Sequence, residues 1–371
     1  MKLTLQIIEV TTICAILSGS GNRGSKKMKK GLYWLLKVII AACIATLVLS
    51  VFSLLYYNNG IRKTSTTGAT DYVWENRFYS LGYEGYAWGY YDESGYNNVF
   101  GISGAEPDIL LMGSSQMNAY NVSAKYSTAF LLNEALHDSE LGYSVYNIGM
   151  EGHDFYTCSD NLEDAIATYS PKKYVIIETM TVALSIDKME EVLNKTRVKS
   201  PAYDKGVIYY LQKIPYLRLL HKKIRDIQAV NISKENDDIE EVKGCDDSDM
   251  DVQALLYNKE LDQYMKKLGK LADESGIVLI LFYLPSVMIN EDGSIGIGVD
   301  LEEISKISSV CQNYGIRFVD MSEAFSNNYQ KNYELPYGFS NTEIGHGHLN
   351  RIGHNLVANE LYKTILCLED K

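Results

Sequence analysis

The chain has 371 residues, of which 46% are hydrophobic, and it carries 35 basic and 47 acidic residues for a net charge of −12. This length suffices for one sizeable domain with additional segments. Residues 1–57 contain seven of the basic residues and one of the acidic ones, which leaves the remainder at −18. Such an acidic remainder repels nucleic acid, so we expect no nucleic-acid partner.

Residues 31–57 form an apolar run that exceeds the ~20 residues needed to cross a membrane. Lys37 is the only charge inside this run, and near its end it can snorkel to the interface. Four lysines lie just before the run, between positions 26 and 30, and the positive-inside rule keeps them in the cytoplasm. The pattern predicts a cytoplasmic N-terminus (1–30), a transmembrane signal anchor (31–57) and an extracytoplasmic C-terminal domain in the cell membrane.

A cleaved signal peptide is the alternative for residues 31–57. The run is longer than the apolar part of a signal peptide, and no clear small-residue cleavage site follows it, so we favour the uncleaved anchor. The residues from Met28 onward would make a normal start for a signal anchor, and we therefore hypothesise that translation begins at Met28.

Residues 58–104 are expected to contain a polar tether (58–71) followed by an aromatic-rich segment. Exposed aromatic rings can stack on sugar faces, but packing against the domain is the favoured interpretation. The aromatic residues of this segment are Tyr72, Trp74, Phe78, Tyr79, Tyr83, Tyr86, Trp88, Tyr90, Tyr91 and Tyr96.

Short apolar segments alternate with helical patterns through residues 105–371. This alternation predicts a parallel sheet covered by helices on both faces. Strands are predicted at 108–112, 144–148, 173–178, 277–283 and 316–320, and helices at 155–169, 253–275, 299–314 and 351–366. Residues 183–252 have charged helical stretches and a densely acidic part, which indicates an insertion on the domain surface.

Three motifs follow one another in this region. Residues 108–116 are a short strand that ends in a Gly-Ser-Ser turn, from which Ser115 can project as a nucleophile. Residues 145–152 are a second strand followed by a glycine-rich loop, in which the N–H of Gly152 is free to face an oxyanion. In residues 347–354, His348 lies just before a helix and is the candidate base for Ser115.

With these motifs in this order, residues 105–367 resemble the SGNH/GDSL hydrolase superfamily. Residues 113–116 stand where that family has Gly-Asp-Ser-Leu, Gly152 stands at its oxyanion glycine, and His348 stands at its catalytic histidine. The resemblance implies a three-layer α/β/α fold with a five-stranded parallel, flavodoxin-like sheet. It also implies that Ser115 attacks an acyl carbon, His348 relays the proton, and the N–H groups of Ser115 and Gly152 hold the oxyanion.

The substrate that the resemblance implies is an acyl ester of a cell-envelope glycan, either hydrolysed or transferred, with a membrane-embedded acyl-donor protein as a further partner. The alternative is a catalytically inactive glycan-binding or envelope-assembly module. No cofactor is expected. The six cysteines show no CxxC spacing, so we expect no zinc or other metal site.

The sequence departs from the family pattern at two places. Gly345 stands three residues before His348, where the family has its aspartate; Asn341 and Glu343 are the nearest polar residues, which leaves a Ser-His dyad or a triad with Glu343 as the acid. The family's third motif, with its asparagine donor, is replaced after the strand at 173–178, where Thr181 or Thr179 can provide the second oxyanion donor. Of these two threonines, Thr181 is the candidate.

Overall fold

The computed structural model describes residues 23–58, 60–75, 77–98, 102, 104–202, 206–224, 247–298 and 301–370. The chain divides into two compact units, Met1–Ser53 and Leu54–Lys371. Helix α1 (Arg23–Tyr56) contains the predicted apolar run. Its stretch Lys30–Tyr56 is long and apolar enough to span a membrane, so an anchor and a signal sequence both remain compatible with it.

The unit after Ser53 combines strands and helices. Its strands are β1 (Tyr57–Asn58), β2 (Arg62–Thr64), β3 (Tyr72–Trp74), β4 (Phe78–Leu81), β5 (Ala87–Tyr90), β6 (Ile109–Met112), β7 (Val145–Asn147), β8 (Tyr174–Thr179), β9 (Val278–Tyr283), β10 (Val287–Ile289), β11 (Ile295–Ile297) and β12 (Arg317–Asp320). Its helices are α2 (Ser115–Asn118), α3 (Thr128–His137), α4 (Phe155–Asp160), α5 (Leu162–Tyr169), α6 (Ile186–Leu193), α7 (Val207–Gln212), α8 (Asp247–Glu274), α9 (Leu301–Asn313), α10 (Ser322–Asn332) and α11 (Arg351–Glu369).

Five of these strands form the central sheet, in the order β12-β9-β8-β6-β7. Every pairing within it is parallel. In sequence order this arrangement is 2-1-3-4-5, the flavodoxin-like order. The prediction of a five-stranded parallel sheet is therefore confirmed, and each predicted strand agrees with an observed one to within about two residues, as is usual for element ends.

Alternate residues of the central strands face two separate apolar layers. On β6, Leu110 and Met112 pack in one cluster with residues of α4, α5 and α8. Ile109 and Leu111 pack in the other cluster with residues of α3, α10 and α11. Because successive side chains of a strand point to opposite faces, a strand that is covered on both sides is apolar throughout. The three-layer α/β/α fold is confirmed.

The predicted helices are present with one interruption. The helix predicted at 155–169 is divided at Asn161 into α4 and α5. The amide of Asn161 donates to the Asp71 carboxylate at 3.1 Å, a long-range bond that sequence periodicity does not reveal. The helix predicted at 351–366 is α11, which buries Val357, Leu361 and Ile365 along one face.

The segment expected to be a tether is folded against the domain where it is described. Ile61 and Ala69 are buried, and β2 pairs with β3. The apolar and carboxylate side chains spaced along this segment bind it to the domain, whereas its polar composition suggested a flexible linker. It therefore positions the aromatic-rich segment instead of merely joining it to α1.

The aromatic-rich segment is divided between core and surface. Packing is the main role, as the sequence favoured, because Tyr72, Trp74, Tyr79, Tyr91 and Tyr96 are buried. Phe78 and Tyr83 are half-buried. The rings that remain exposed are Tyr86, Trp88 and Tyr90.

Candidate active site

Ser115 is the first residue of α2, directly beyond the carboxyl end of the central strand β6. Ser114 caps this helix, since its hydroxyl accepts the N–H of Gln116 at 3.1 Å. Gly113 makes the turn, and a Cβ at this position would meet the Glu178 carboxylate at 2.5 Å. This short strand-turn-helix unit is the predicted one, and it holds the Ser115 hydroxyl at the edge where parallel sheets carry their sites.

His348 lies next to this hydroxyl, with Nε2 2.8 Å from Ser115 Oγ. The loop that carries His348 is fixed from two sides. Gln116 accepts the N–H of Leu349 at 2.7 Å and donates to the Gly347 carbonyl at 3.3 Å. Asn350 caps α11 by accepting the N–H groups of Ile352 and Gly353. The structure thus brings together the predicted nucleophile and base.

The carboxylate at the other side of His348 belongs to Glu84, which no sequence motif indicated. Glu84 Oε2 lies 2.7 Å from His348 Nδ1, and Oε1 accepts the His348 N–H at 2.8 Å. Burial alone would raise the pKa of Glu84, but its hydrogen bonds with His348 and the nearby imidazole charge outweigh burial and lower that pKa. Glu84 is therefore held as a carboxylate beside the ring.

The loop that carries Glu84 joins β4 to β5 and is held by Asn341. The Asn341 amide donates to the Gly82 carbonyl at 2.9 Å and accepts the Gly85 N–H at 2.9 Å. Gly347 has φ +87, and a Cβ there would collide with Glu84. Residue 347 must therefore be a glycine if Glu84 is to reach His348. It lies two residues after Gly345, the position where the family has its aspartate.

Glu343 does not take the role of acid that the sequence suggested. Its carboxylate lies 3.8 Å from His346 Nε2, and its side chain is 79% exposed. The reason is that the loop directs residue 343 to solvent, while Glu84 occupies both the backbone N–H and Nδ1 of His348. The prediction of Glu343 as the acid is therefore wrong, and the acid position is occupied by Glu84, about 260 residues earlier in the chain.

Two backbone N–H groups remain available as oxyanion donors. Among the described residues, no acceptor lies within hydrogen-bond reach of the N–H of Ser115 or Gly152. Gly152 has φ +80, a conformation suited to glycine, and a Cβ at this position would lie 3.7 Å from Arg62 Nη2. These are the two donors predicted from the sequence, and Arg62 adds a cation next to one of them.

Thr181 does not provide a further donor. Its N–H donates to Thr179 Oγ1 at 3.3 Å, and its hydroxyl donates to the Ala183 carbonyl at 3.1 Å. Both polar hydrogens are therefore engaged in local turns after β8. Thr181 instead lines a cavity of about 230 Å³ together with Ser114, His153, Glu178 and Lys188.

Two further histidines near the site, His354 and His153, are buried. His354 is buried in α11 and its Nδ1 lies 2.9 Å from Thr128 Oγ1. Burial lowers the pKa of His354 to about 3 and that of His153 to about 4. Both rings are therefore neutral in the physiological range, and His348 is the imidazole that contacts the serine.

Glu178 is a buried carboxylate behind the nucleophile. It accepts the Ser114 N–H at 2.9 Å and the Ser114 hydroxyl at 2.7 Å. Burial raises the pKa of Glu178 to about 7, although the bonds from Ser114 partly oppose this rise. Glu178 thus holds the turn before the nucleophile through its two hydrogen bonds with Ser114.

The raised pKa of Glu178 predicts a pH-dependent stability. The unfolded pKa is 4.5 and the folded one about 7, so the folded state binds the proton more tightly and stability falls as pH rises through this window. Above pH 7 the ionised carboxylate should cost about 3 kcal/mol. Urea unfolding measures this effect. As the pH rises from 4.5 to 8, the free energy of unfolding of Glu178→Gln should increase relative to that of wild type by up to this amount.

The exposed Glu343→Gln serves as the control for this measurement. It should follow the wild-type pH profile, because Glu343 lies in solvent. A constant difference between Glu178→Gln and wild type from pH 4.5 to pH 8 would show that Glu178 titrates as an ordinary surface carboxylate.

Within the described ranges, no group of three or more His, Cys, Asp or Glu side chains is arranged to hold a metal ion. The cysteines described, Cys43, Cys158, Cys311 and Cys367, are free thiols.

No family model matches the sequence, and no curated protein matches it either. Similar solved structures include an acetyl xylan esterase, 13% identical, with a TM-score of 0.38 over 69% of this chain and 98% of that one. A two-domain esterase active on acetylated mannans is 12% identical, with a TM-score of 0.39 over 72% of this chain and 51% of that one. A psychrotrophic esterase from a Pseudoalteromonas species is 12% identical, with a TM-score of 0.34 over 71% of this chain and 100% of that one.

The chemistry rests on the site itself. The sheet order, the strand-turn-helix unit at Ser115, the glycine loop at Gly152 and the histidine before the last helix define an α/β protein with a serine and a histidine in contact at the carboxyl edge of its parallel sheet. Its acid position differs from the pattern that the sequence resemblance implied, because Glu84 supplies the carboxylate.

Proposed function

We propose that this protein is a serine esterase or O-acyltransferase. The observation that carries the proposal is the continuous chain of contacts from Ser115 Oγ to His348 Nε2 at 2.8 Å and from His348 Nδ1 to Glu84 Oε2 at 2.7 Å. A serine needs a base within hydrogen-bond reach, and that base needs an oriented partner. These residues supply both.

In the proposed reaction, Nδ1–H of His348 donates to Glu84, which leaves Nε2 to accept the proton of Ser115. Ser115 Oγ then bonds to the acyl carbon, and the carbonyl oxygen becomes an oxyanion facing the N–H groups of Ser115 and Gly152. His348 returns the proton to the departing alcohol oxygen as its bond to the acyl carbon breaks. Water or another hydroxyl completes the cycle by taking the acyl group from Ser115, which gives hydrolysis or transfer.

The proposed substrate is an acyl ester of a cell-envelope glycan. Support comes from the apolar stretch Lys30–Tyr56, which we propose to be a single-pass anchor with the C-terminal domain outside the membrane. An envelope glycan is the acyl acceptor or donor that a domain in that position meets. A membrane-embedded acyl-donor protein remains the proposed partner for transfer.

The inactive glycan-binding alternative loses much of its basis. This alternative depends on two departures from the family pattern, the missing acid before His348 and the missing asparagine of the third motif, and Glu84 occupies the position of the acid. In addition, five of the ten aromatic rings of residues 72–96 are buried and cannot stack on a sugar.

The test is labelling of the full chain with a serine-directed fluorophosphonate. Wild type should be labelled, and Ser115→Ala and His348→Ala should not, because they remove the nucleophile and its base. Ser114→Ala is the matched control, since the neighbouring hydroxyl contacts Glu178 and not His348. A folded wild type that resists the reagent, or labelling that survives in Ser115→Ala, would contradict the proposal.

A positive result would be followed by release of acetate from an O-acetylated polysaccharide, with and without an added acceptor glycan. Release without the acceptor indicates hydrolysis. Acetate appearing on the acceptor indicates transfer.

A further inference from the structure

Three exposed aromatic rings form a row on the strand that follows Glu84. Tyr86, Trp88 and Tyr90 are 75%, 67% and 61% exposed. They occupy alternate positions, so they point to the same face of β5, while Ala87 and Tyr91 face the interior. Large exposed rings in such a row mark an interaction surface.

The row lies close to the residues that end the apolar helix. Helix α1 ends at Tyr56, β1 follows it immediately, and the sheet has the order β1-β4-β5. Asn58 pairs with Ser80, and Ser80 pairs with Trp88. Two strand spacings, about 10 Å, therefore separate the backbone of Trp88 from that of Asn58.

The same face of this sheet carries the last turn of the helix. Paired residues on antiparallel strands point to one face, so Ser80 and Trp88 share it. The Ser80 hydroxyl donates to the Leu54 carbonyl. The aromatic row thus lies near Leu54–Tyr56, the residues at which α1 ends.

A second element, residues 206–224, reaches the same point. Its Arg218 donates to the side chain of Asn58, and its Lys222 lies over the ring of Tyr83 at 4.6 Å. Its outward side chains include the exposed apolar residues Val207, Ile208, Tyr210, Leu211, Ile214, Leu220 and Ile224.

This element is basic in an acidic domain. Residues 206–224 contain Lys213, Arg218, Lys222 and Lys223 and no Asp or Glu. Lys213 lies 3.7 Å from Glu75, Arg218 is buried and Lys222 lies over the Tyr83 ring, so the outward charge is mainly that of the exposed Lys223. The remainder of the chain after residue 57 is strongly acidic and would be repelled by an anionic surface.

We propose that the aromatic row and residues 206–224 together form a membrane-docking face that lays the domain on an anionic bilayer surface. The proposal rests on the anchor proposed above. Tyr and Trp favour the membrane interface, apolar side chains insert into it, and lysines bind anionic lipid headgroups. A free glycan would account for the rings, but not for an apolar, basic segment beside the helix end.

Docking would place the active site at the bilayer. Glu84 lies two residues before Tyr86, a separation of at most about 7 Å along the chain. The esters within reach would therefore be those held at the membrane surface, such as an acyl group on a lipid-linked glycan or one presented by a membrane protein. Long polymers remote from the membrane would reach the site poorly.

The test uses the fluorescence of Trp88 in the full chain reconstituted into liposomes with anionic lipid. Of the three tryptophans, Trp74 is buried, and Trp34 lies in the apolar run, so a Trp34→Phe variant isolates Trp88 as the exposed reporter. Two tryptophans, Trp74 and Trp88, then remain, and only Trp88 would lie at the membrane interface. Lipids brominated near the top of the acyl chain should therefore quench about half of the remaining emission. Adding Trp88→Phe should abolish this quenching.

The docking face is tested by the triple variant Val207→Ser, Leu211→Ser and Lys223→Gln in the Trp34→Phe chain. We expect it to lose most of the Trp88 quenching. Leu301→Ser is the matched control, because Leu301 is as exposed as Val207, at 75%, but lies in α9. It should leave the quenching unchanged.

Absence of Trp88 quenching, in liposomes where the parent chain shows Trp34 quenching, would overturn docking while leaving the anchor intact. A response of Trp88 to a soluble polysaccharide in place of brominated lipid would overturn it in favour of a glycan platform. Fluorophosphonate labelling of the same liposomes reads the esterase separately, so a quenched but unlabelled chain would support docking and refute the esterase.

Discussion

Replacing Glu84 with alanine should lower kcat/KM for an activated ester such as p-nitrophenyl acetate by about a thousandfold to ten-thousandfold, the effect of losing the acid of a serine triad. Glu84 fixes the tautomer of His348 through Nδ1 and stabilises the imidazolium that forms when Ser115 loses its proton. Without it, Nε2 is no longer held as the acceptor. The KM should change little, because Glu84 acts through His348 on proton transfer and not on the binding of the ester.

Glu343→Ala is the decisive control, because the sequence pattern alone would select Glu343 as the acid. Glu343 is exposed and its carboxylate lies near His346, so its removal should leave kcat/KM unchanged. Glu84→Gln separates geometry from charge, since it keeps an acceptor for the His348 N–H but removes the carboxylate. A large loss in Glu343→Ala with full activity in Glu84→Ala would reject the assigned triad.

The acid escaped prediction because it lies far away in sequence and in a segment with no catalytic pattern. Ser115 and His348 were predictable since each lies in a local unit, a strand-turn-helix and a helix entry. Glu84 lies in the loop between the paired strands β4 and β5, and Asn341 holds this loop through hydrogen bonds to Gly82 and Gly85. Gly347 is the one local signal, since a side chain there would exclude Glu84.

The fold was more accessible from sequence than the site. Strands covered on both faces are continuous apolar runs, and five such runs separated by helical patterns leave few arrangements other than a parallel sheet. Breaks in a helix that depend on hydrogen bonds to distant residues could not be predicted from the sequence. Asn161 divides a helix because its amide binds Asp71, a residue of the segment that composition alone describes as a tether.

Asp71 provides the second large expected effect, on stability. Its carboxylate is fully buried and accepts bonds from Arg197 at 2.8 Å and from the Ser200 N–H at 2.7 Å. Arg197 is itself only 9% exposed and also contacts Asp160 at 3.0 Å. Removing one partner of a buried pair leaves the other charge poorly compensated, so Asp71→Ala should cost about 3 to 5 kcal/mol in the free energy of unfolding at pH 7.

The effect of Asp71→Ala should depend on pH. Burial would raise the pKa of Asp71, but the bonds from Arg197, Ser200 and Asn161 outweigh it and lower the pKa from 3.8 to about 2. The folded state thus binds this proton less tightly than the unfolded state, so the part of the stabilisation that depends on ionisation is complete above pH 3.8 and is lost as pH falls through 2. The difference between variant and wild type should shrink by about 2 kcal/mol over that range.

Urea unfolding of the detergent-solubilised chain, followed by tryptophan fluorescence at pH 6 and at decreasing pH, measures both quantities. Lys195→Ala is the control, because it breaks an exposed ion pair with Glu163 and should leave the free energy of unfolding nearly unchanged. If Asp71→Ala were as stable as Lys195→Ala, the supposed tether would be only loosely attached. If the large cost is observed, Arg197 fixes the segment that precedes Glu84 to the domain. A triad acid that comes from outside the central sheet needs such a rigid attachment to stay in position.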